Sequence, residues 1–282
     1  MLKRWLQIFL IFSLFLLAAC SDDAEKDTDT KANEEDTEVE IVEEDTEDTE
    51  EEEEPDEEEL ANLTDPNRDG GGGFLWKTEA NGNTVYMLGS IHVATEDFYP
   101  LHGKLEWAFA QSDYLAVEAD VLNVNVFEMS NLVNEKAMYQ DGTTLDQVIP
   151  EDLYAKVEEH VQQSSLPLPM AMLNEYEPWY IYNLIDSLQV MEFGYDTEIG
   201  IDMHFLNAAS EQEMEIIEIE SIEFQLDMLD SLSEEVQISL LESTIENSDN
   251  AKDEIDTLAN LWKNGDEEGL EEYLLSEEPE TE

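Results

Sequence analysis

Hydrophobic positions in the first part of the folded region follow the pattern of β-strands. Residues 74–78 and 84–91 form two such runs, and Asn81-Gly82-Asn83 between them is typical of a tight hairpin turn. The second run is apolar at nearly every position. We therefore expect a strand that helices cover on both faces, as is usual for parallel strands.

Two later runs predict further strands, and a glutamate stands at the end of each. Residues 113–120 pass from a turn former through a short apolar stretch to acidic residues that include Glu118, and residues 214–219 are followed by Glu220. The carboxyl ends of parallel strands meet at one edge of a sheet. The pattern therefore predicts that Glu118 lies beside the residues that follow the strand at 84–91.

The other hydrophobic positions recur at helical spacing. The sequence thus predicts an α/β domain with a mixed sheet, surrounding helices and a largely helical insertion over residues 121–195. The predicted helices cover residues 101–112, 124–138, 145–149, 152–163, 170–174, 179–191, 200–210, 224–232, 236–245, 255–262 and 270–275.

Gly89 and His92 give the strand at 84–91 its candidate chemistry. Glycine lets the backbone adopt conformations closed to other residues, or lets a ligand come near. The side chains after it can then turn over the carboxyl edge of the sheet, where open α/β sheets place their ligand sites. His92 at this edge is a candidate metal ligand or acid/base group. A histidine that is only hydrogen-bonded within a turn is the alternative.

A histidine beside one or two carboxylates suits a divalent cation with nitrogen and oxygen ligands, such as manganese, cobalt or zinc. Glu118 is either a further ligand or the base that takes a proton from a water activated by the metal. Because the chain has 73 acidic residues among 282, a solvated surface acid is the alternative for Glu118.

The net charge of −62 limits the partners of this chain. A surface of this charge repels nucleic acid and anionic lipid headgroups, so we expect no nucleic-acid partner. Self-repulsion between the carboxylates costs stability at low ionic strength. The composition therefore predicts an acidic surface of halophilic type, and a melting temperature that rises with salt.

The first residues predict an exported, lipid-anchored protein. Lys3 and Arg4 precede an apolar run over residues 5–19 that has the length of a secretory signal rather than of a membrane span. The run ends in Leu17-Ala18-Ala19-Cys20, which resembles a bacterial lipobox. The resemblance implies that residues 1–19 are a lipoprotein signal peptide. It also implies that lipidated Cys20 holds the protein on the extracytoplasmic face of the cell membrane. An ordinary cleaved signal is the alternative.

Residues 20–73 are predicted to be an acidic, disordered tether. Asp, Glu and Thr dominate this segment and large apolar residues are almost missing, so it cannot bury enough surface to fold. A calcium site is the alternative, but the spacing lacks the glycine turn of a calcium loop. We expect residues 69–73 to be a flexible joint and residues 74–282 to form the domain. Cys20 is the only cysteine, so the domain has no disulfide.

Seven blocks of the domain resemble the TraB/GumN family in order and spacing. They include the strand that ends in Gly89-Ser90-Ile91-His92 and the segment that begins Gly200-Ile201-Asp202. The blocks lie at residues 74–77, 85–92, 98–101, 115–120, 177–179, 200–206 and 217–225.

The resemblance implies a fold related to erythromycin esterases and ChaN-like proteins. The family includes the Tiki proteins, which are metal-dependent peptidases acting on secreted signalling proteins, and a pheromone-shutdown protein. Its site is built from a Gly-x-x-His motif, which matches Gly89 and His92, and from a strand-end glutamate, which matches Glu118. Glu220 matches a further family position. The resemblance implies a divalent metal at His92, Glu118 and Glu220, with His92 and Glu118 as the catalytic residues.

A second Gly-x-x-His motif, expected near the C-terminus of the family domain, does not occur after Gly89. We expect the chain to be C-terminally incomplete or its site to lack one imidazole. The leading hypothesis is a membrane-anchored metallopeptidase that acts on a secreted peptide or protein. The alternatives are a surface protein that binds a peptide without cleaving it, as in pheromone shutdown, and a lipid-tethered receptor for a small solute.

Overall fold

The computed structural model describes residues 65–275. The predicted signal peptide, Cys20 and most of the predicted tether lie outside the described residues, as do residues 276–282. These assignments therefore stay predictions. Among residues 65–275, no helix combines the length and the apolar character that crossing a bilayer requires.

The four strands form two separate sheets within the described residues. Strands β1 (Phe74–Ala80) and β2 (Asn83–Gly89) pair antiparallel, while β3 (Tyr114–Val117) and β4 (Glu215–Glu218) pair parallel. The α/β class is confirmed, but the single mixed sheet was wrong. The hairpin turn at positions 81–82 supplies β2 with a partner directly. Both turn residues have positive φ angles, 53° and 83°, as a tight hairpin turn requires.

The prediction that helices cover both faces of β2 was also wrong. Val85 and Met87 are 52% and 49% exposed, while Leu88 packs at the edge of a hydrophobic core. An uninterrupted apolar run cannot by itself distinguish a buried parallel strand from a hairpin strand with a partly exposed apolar face.

Ten α-helices surround the sheets in the described part of the chain, and most lie within a few residues of the predicted bounds. Two short 3₁₀ helices, Glu96–Phe98 and Val121–Asn123, complete the connections. The α-helices are α1 (Gly103–Ala110), α2 (Val126–Ala137), α3 (Leu145–Val148), α4 (Glu151–Gln163), α5 (Met170–Leu173), α6 (Pro178–Glu192), α7 (Ile201–Glu211), α8 (Ile222–Asp230), α9 (Glu234–Asn264) and α10 (Glu267–Leu275).

Helix α9 merges two elements that the sequence predicted separately, at residues 236–245 and 255–262. The polar stretch between them looked like a connection, but it holds no glycine or proline to end a helix. It forms solvated turns of one helix of 31 residues. The helix ends at Gly265, which adopts the left-handed conformation with φ 59°.

Two hydrophobic clusters form the core, and α9 contributes to both. The first lies around α6 and includes the fully buried Trp179 and Ile185 together with Leu241 of α9. The second lies around α1 and α7 and includes Phe98 and Trp262, the latter also from α9. The long helix therefore fixes the helical insertion against the half of the domain that carries His92.

The glycine run at residues 70–73 is not the flexible joint that we expected. Gly71 donates its N–H to the carbonyl of Pro100 at 2.9 Å, and Gly73 donates to the carbonyl of Trp262 at 3.0 Å. A Cβ atom on Gly71 would lie 2.4 Å from the carbonyl oxygen of Phe98. Glycine is required here because another backbone comes too near for any side chain.

Candidate functional site

His92 lies just after β2, and its backbone neighbours fix its position. The indole Nε1 of Trp262 donates to the carbonyl of Gly89 at 2.7 Å, and the N–H of Ile201 donates to the carbonyl of Ile91 at 2.9 Å. The side chain of His92 is only 12% exposed. The end of α9 and the start of α7 therefore hold the backbone that leads into His92.

Gly89 acts through close packing rather than through an unusual conformation. It is not among the described residues with positive φ, and a Cβ atom would lie 3.2 Å from Cβ of Phe74 on the neighbouring strand. Of the two roles considered for Gly89, the unusual backbone conformation is therefore wrong, and a larger residue here would need a small shift of Phe74.

Asp202, in the first turn of α7, is the nearest partner of His92. Nδ1 of His92 donates to Oδ2 of Asp202 at 2.8 Å. The N-cap of this helix is Gly200, where a Cβ atom would lie 2.5 Å from the carbonyl oxygen of His92 and 2.7 Å from Oδ1 of Asp202. Oδ1 is buried and has no hydrogen-bond partner in the described residues. The start of α7 thus packs directly against the His92 backbone.

Glu118 lies on the opposite side of the ring. It follows β3, is 42% exposed, and places Oε2 at 3.6 Å from Nε2 of His92. The ring is therefore held at Nδ1 by a buried carboxylate, while Nε2 faces a carboxylate that solvent reaches. This arrangement orients the imidazole for chemistry at Nε2.

Gln225 of α8 connects Glu118 with Glu220, the residue after β4. Its amide donates to Oε2 of Glu220 at 3.2 Å and also hydrogen-bonds the carboxylate of Glu118. The side chain is buried, which keeps the amide in a fixed orientation. The two strand-end acids thus share one neutral donor instead of a cation.

The two carboxylates change the ionisation of His92. Burial by itself lowers the pKa of the imidazole, but the carboxylates of Asp202 and Glu118 outweigh burial and raise the pKa to about 10. Conversely, the interaction with the His92 imidazolium lowers the pKa of Glu118. Without a bound cation, the site therefore contains an imidazolium between two carboxylates at neutral pH.

The predicted metal ligands are only partly brought together. Within residues 65–275, no group of three or more His, Cys, Asp or Glu side chains is arranged to hold a metal ion. His92 and Glu118 form a pair, while the third predicted ligand, Glu220, contacts Gln225. His92 and Glu118 therefore lie beside each other as predicted, but without the third predicted ligand.

A second imidazole and carboxylate pair lies on the other side of Asp202. Nε2 of His204 lies 2.9 Å from Oε1 of Glu106, and its ring contacts that of Tyr99 with centroids 5.3 Å apart. Burial and the nearby carboxylates of Glu106 and Asp202 raise the pKa of Tyr99 to about 12. The Tyr99 hydroxyl, which stays protonated at neutral pH, donates to the carbonyl of Ile199 just before α7.

Asp202 was predicted only as part of the family-like block at residues 200–206, and Gln225 was not predicted as a site residue. A partner for His92 in the first turn of a distant helix leaves no local pattern. Gln225 lies on the apolar face of α8. A lone amide at a core position needs a polar partner, and this was the one sequence signal that could have identified Gln225 as a site residue.

Most of the described part of this chain is similar in sequence to known proteins. Residues 74–282 match the sequence pattern of the TraB/PrgY/gumN family. The chain belongs to this family. Curated relatives of this family member include the "Uncharacterized protein YbaP" of Escherichia coli (strain K12) and that of Shigella flexneri, each 29% identical over 160 residues. The aligned part covers 57% of this chain and 56% of each relative, so the chain spans little more than half their length. No solved structure matches the chain.

Proposed function

We propose that this TraB/PrgY/gumN family member is a metal-dependent peptidase that acts on a secreted peptide or protein. The observation that carries the proposal is the position of His92 between two carboxylates. Nδ1 is fixed by Asp202 at 2.8 Å, and Nε2 faces Glu118 at 3.6 Å. Hydrolysis of a peptide bond needs a group that orients the electrophile acting on the peptide carbonyl and a group that accepts a proton from water. His92 and Glu118 supply residue types suited to these two roles.

The three side chains have separate roles in the proposal. Asp202 keeps the Nδ1–H of His92 engaged, so that Nε2 is the nitrogen available to a ligand. Glu118 is 42% exposed, so an incoming water and the substrate have access to its carboxylate. The Glu118 carboxylate is ionised at neutral pH, so as the alternative to holding a cation it is able to accept a proton from the attacking water.

The donor set fits two ligands of a manganese, cobalt or zinc ion. The 3.6 Å between Nε2 and Oε2 exceeds the usual hydrogen-bond length of about 2.7–3.2 Å. It is near the roughly 3.4 Å that separates two ligands of one tetrahedral zinc ion. When bound, such a cation polarises the peptide carbonyl and makes water a better nucleophile. His92 and Glu118 are the residues that would hold it, with Glu220 as a nearby acid.

A surface protein that binds a peptide without cleaving it, as in pheromone shutdown, is the alternative. One specific observation favours it: the described residues hold a pair of potential ligands rather than the three or four that catalytic metal sites usually have. In this case His92 and Glu118 would bind a polar group of the peptide.

Cleavage assays with metal-loaded protein separate these functions. The full-length chain is purified in detergent, stripped with a chelator, and given manganese, cobalt or zinc together with a quenched-fluorescence peptide library. We expect metal-dependent cleavage that falls at least about a hundredfold in His92→Ala and Glu118→Gln. His160→Ala, which removes a half-buried histidine of the helical insertion, is the control. Metal-independent cleavage, or full activity of His92→Ala, would contradict the proposal, and peptide binding without cleavage would support the alternative.

We also propose that Cys20 is lipidated and anchors the protein on the extracytoplasmic face of the cell membrane. The support is the apolar run at residues 5–19 and its ending, Leu17-Ala18-Ala19-Cys20. Metabolic labelling with a radioactive fatty acid should mark the wild-type protein but not Cys20→Ser, and the variant should leave the membrane fraction. Labelling of Cys20→Ser equal to the wild type would contradict the anchor.

A further inference from the structure

The chain segments that leave β3 and β4 run side by side at the edge where Glu118 and Glu220 lie. The parallel pairing continues beyond the strands, because the N–H of Ile219 donates to the carbonyl of Val117 at 2.9 Å and that of Glu220 donates to the carbonyl of Glu118 at 2.8 Å. The N–H of Asp120 donates to the carboxylate of Glu218 at 2.9 Å. The two segments therefore form one continuous surface beside the His92 and Glu118 pair.

Each segment leads into an α-helix, the first one through the 3₁₀ helix Val121–Asn123, and the two α-helices pack against each other. The side chain of Asn125 caps α2 and that of Ser221 caps α8, which fixes the first turn of each helix. Further along, Nζ of Lys136 in α2 lies 2.6 Å from Oδ1 of Asp227 in α8. The caps thus fix the helix starts, while the ion pair joins the last turn of α2 to α8.

Four large apolar side chains are exposed at these positions, and we call them the apolar rim. Val126 and Phe127 in the first turn of α2 are 62% and 73% exposed. Ile219, after β4, is 71% exposed, and Phe224, in the first turn of α8, is 55% exposed. Single exposed apolar residues are common, but four on the two segments that follow β3 and β4 are the basis for a candidate binding surface.

The charge around the apolar rim selects the kind of partner. Residues 113–135 contain five acidic side chains and residues 215–233 contain six, and neither segment has a lysine or arginine. An acidic surface with apolar side chains repels anionic lipid headgroups and acidic proteins, whereas it attracts a cationic chain that also has apolar residues.

We propose that the apolar rim binds an extended, cationic peptide with apolar side chains and leads its backbone to the His92 and Glu118 pair. The inference rests on the proposed function and narrows it to one substrate class. Apolar side chains of the peptide cover Phe127 and Phe224, while its lysine or arginine side chains meet the acids of the two segments.

Binding is measured by fluorescence anisotropy with the full-length chain and labelled peptides of about twelve residues, the length of an extended groove ligand. The peptides are a leucine and lysine alternation, a serine and lysine alternation, and a leucine and glutamate alternation. We expect the first to bind at least about tenfold more tightly than either of the others, and its affinity to fall as salt is added. Equal binding of the first two peptides would overturn the role of the apolar rim.

The variant Phe127→Ser/Phe224→Ser tests the surface itself. We expect it to weaken binding of the leucine and lysine peptide at least about tenfold. The matched control, Met172→Ser/Met191→Ser, removes two exposed apolar side chains of the helical insertion and should stay within about twofold. Equal affinities of the two double variants would overturn the proposal. Binding to vesicles of zwitterionic phosphatidylcholine is also measured. If the wild type bound these vesicles and Phe127→Ser/Phe224→Ser did not, the proposal would be overturned, because the apolar rim would then be a membrane-binding surface.

His92→Ala keeps this test separate from the proposed catalysis. Cleavage should be lost in this variant, whereas adding Phe127→Ser/Phe224→Ser to it should still weaken binding of the leucine and lysine peptide at least about tenfold. Binding without cleavage in every variant would support the apolar rim as a binding surface and contradict the proposed peptidase activity. If the wild type and Phe127→Ser/Phe224→Ser cleaved peptide equally, the result would support the peptidase activity and contradict the role of the apolar rim.

Discussion

Nδ1 of His92 lies 2.8 Å from Oδ2 of Asp202, although 110 positions separate the two residues in the chain. Both side chains are largely buried, at 12% and 16% exposed. The contact joins the end of the hairpin to the first turn of α7, so that one ion pair fixes both the orientation of the imidazole and the packing of two elements.

We expect Asp202→Asn to lower the pKa of His92 from about 10 toward its ordinary value of 6.5. A histidine whose folded pKa is raised contributes stability that is fully present below the unfolded pKa and is lost as the pH rises through the folded pKa. The variant should therefore lose roughly 1–3 kcal/mol of unfolding free energy near neutral pH, and this loss should shrink between 6.5 and about 10.

Histidine NMR titration and urea unfolding at several pH values measure both effects. Glu106→Gln is the control, because it removes the carboxylate of the His204 pair and leaves the Nδ1 contact of His92 intact. A His92 pKa that is the same in Asp202→Asn and in the wild type would show that Asp202 does not determine the charge of the imidazole.

Gly200→Ala should damage the site without changing any charged group. The new Cβ would lie 2.5 Å from the carbonyl oxygen of His92, so the start of α7 must move. We expect a loss of about 3 kcal/mol of unfolding free energy, at the upper end for overpacking, and a displaced His92 ring. Thermal unfolding and the NMR shifts of His92 provide the measurement.

Gly194→Ala is the matched control for this prediction. Gly194 has a φ of 88° with no atom within 4 Å of the added Cβ, so only backbone strain should cost stability, about 1 kcal/mol. Equal losses in the two variants would show that contact with His92 does not limit position 200.

Most of the helices were predictable because their apolar residues recur at helical spacing, and the buried ones belong to the core clusters. His92 and Glu118 lie near each other as predicted, but the predicted reason was wrong, because β2 and β3 belong to separate sheets and are not neighbouring parallel strands. The partner of β2 and the continuity of α9 were not, because strand pairing and helix ends depend on tertiary contacts that an apolar pattern does not encode. Asp202 and Gln225 become site residues only when α7 and α8 dock.

Gln225→Met should change the acid pair and leave the fold intact. Methionine has a similar volume but donates no hydrogen bond, so Glu118 and Glu220 lose their shared donor. The hydrogen bond from Gln225 helps to lower the pKa of Glu118, so we expect that pKa to rise in the variant. Carboxyl-carbon NMR titration gives the value for Glu118.

The control for Gln225→Met is Gln189→Met. The side-chain amide of Gln189 hydrogen-bonds His160 and not an acid of the candidate site. This buried glutamine of α6 is removed with a similar change in volume. If the pKa of Glu118 moved equally in both variants, the effect would come from general loosening of the core and not from the lost hydrogen bond.

Asp186, on α6, predicts a pH-dependent stability outside the candidate site. Burial raises its pKa to about 7 from the ordinary 3.8, with a smaller contribution from the charge of Glu254, while a hydrogen bond from Thr244 acts in the opposite direction. Tyr182 on the same helix is buried beside it. A carboxyl group whose folded pKa is raised costs stability as the pH rises from its unfolded pKa to its folded pKa.

We therefore expect Asp186→Asn to be more stable than the wild type by roughly 2–4 kcal/mol above about pH 8, with the difference vanishing below about pH 4. Urea unfolding across this range measures the difference. Asp253→Asn, on the exposed side of α9, removes one negative charge without a buried carboxylate and should show a difference of less than about 0.5 kcal/mol. Because the whole chain is acidic, a stabilisation that is equal in the two variants would come from reduced self-repulsion, and the burial of Asp186 would then not explain the pH dependence.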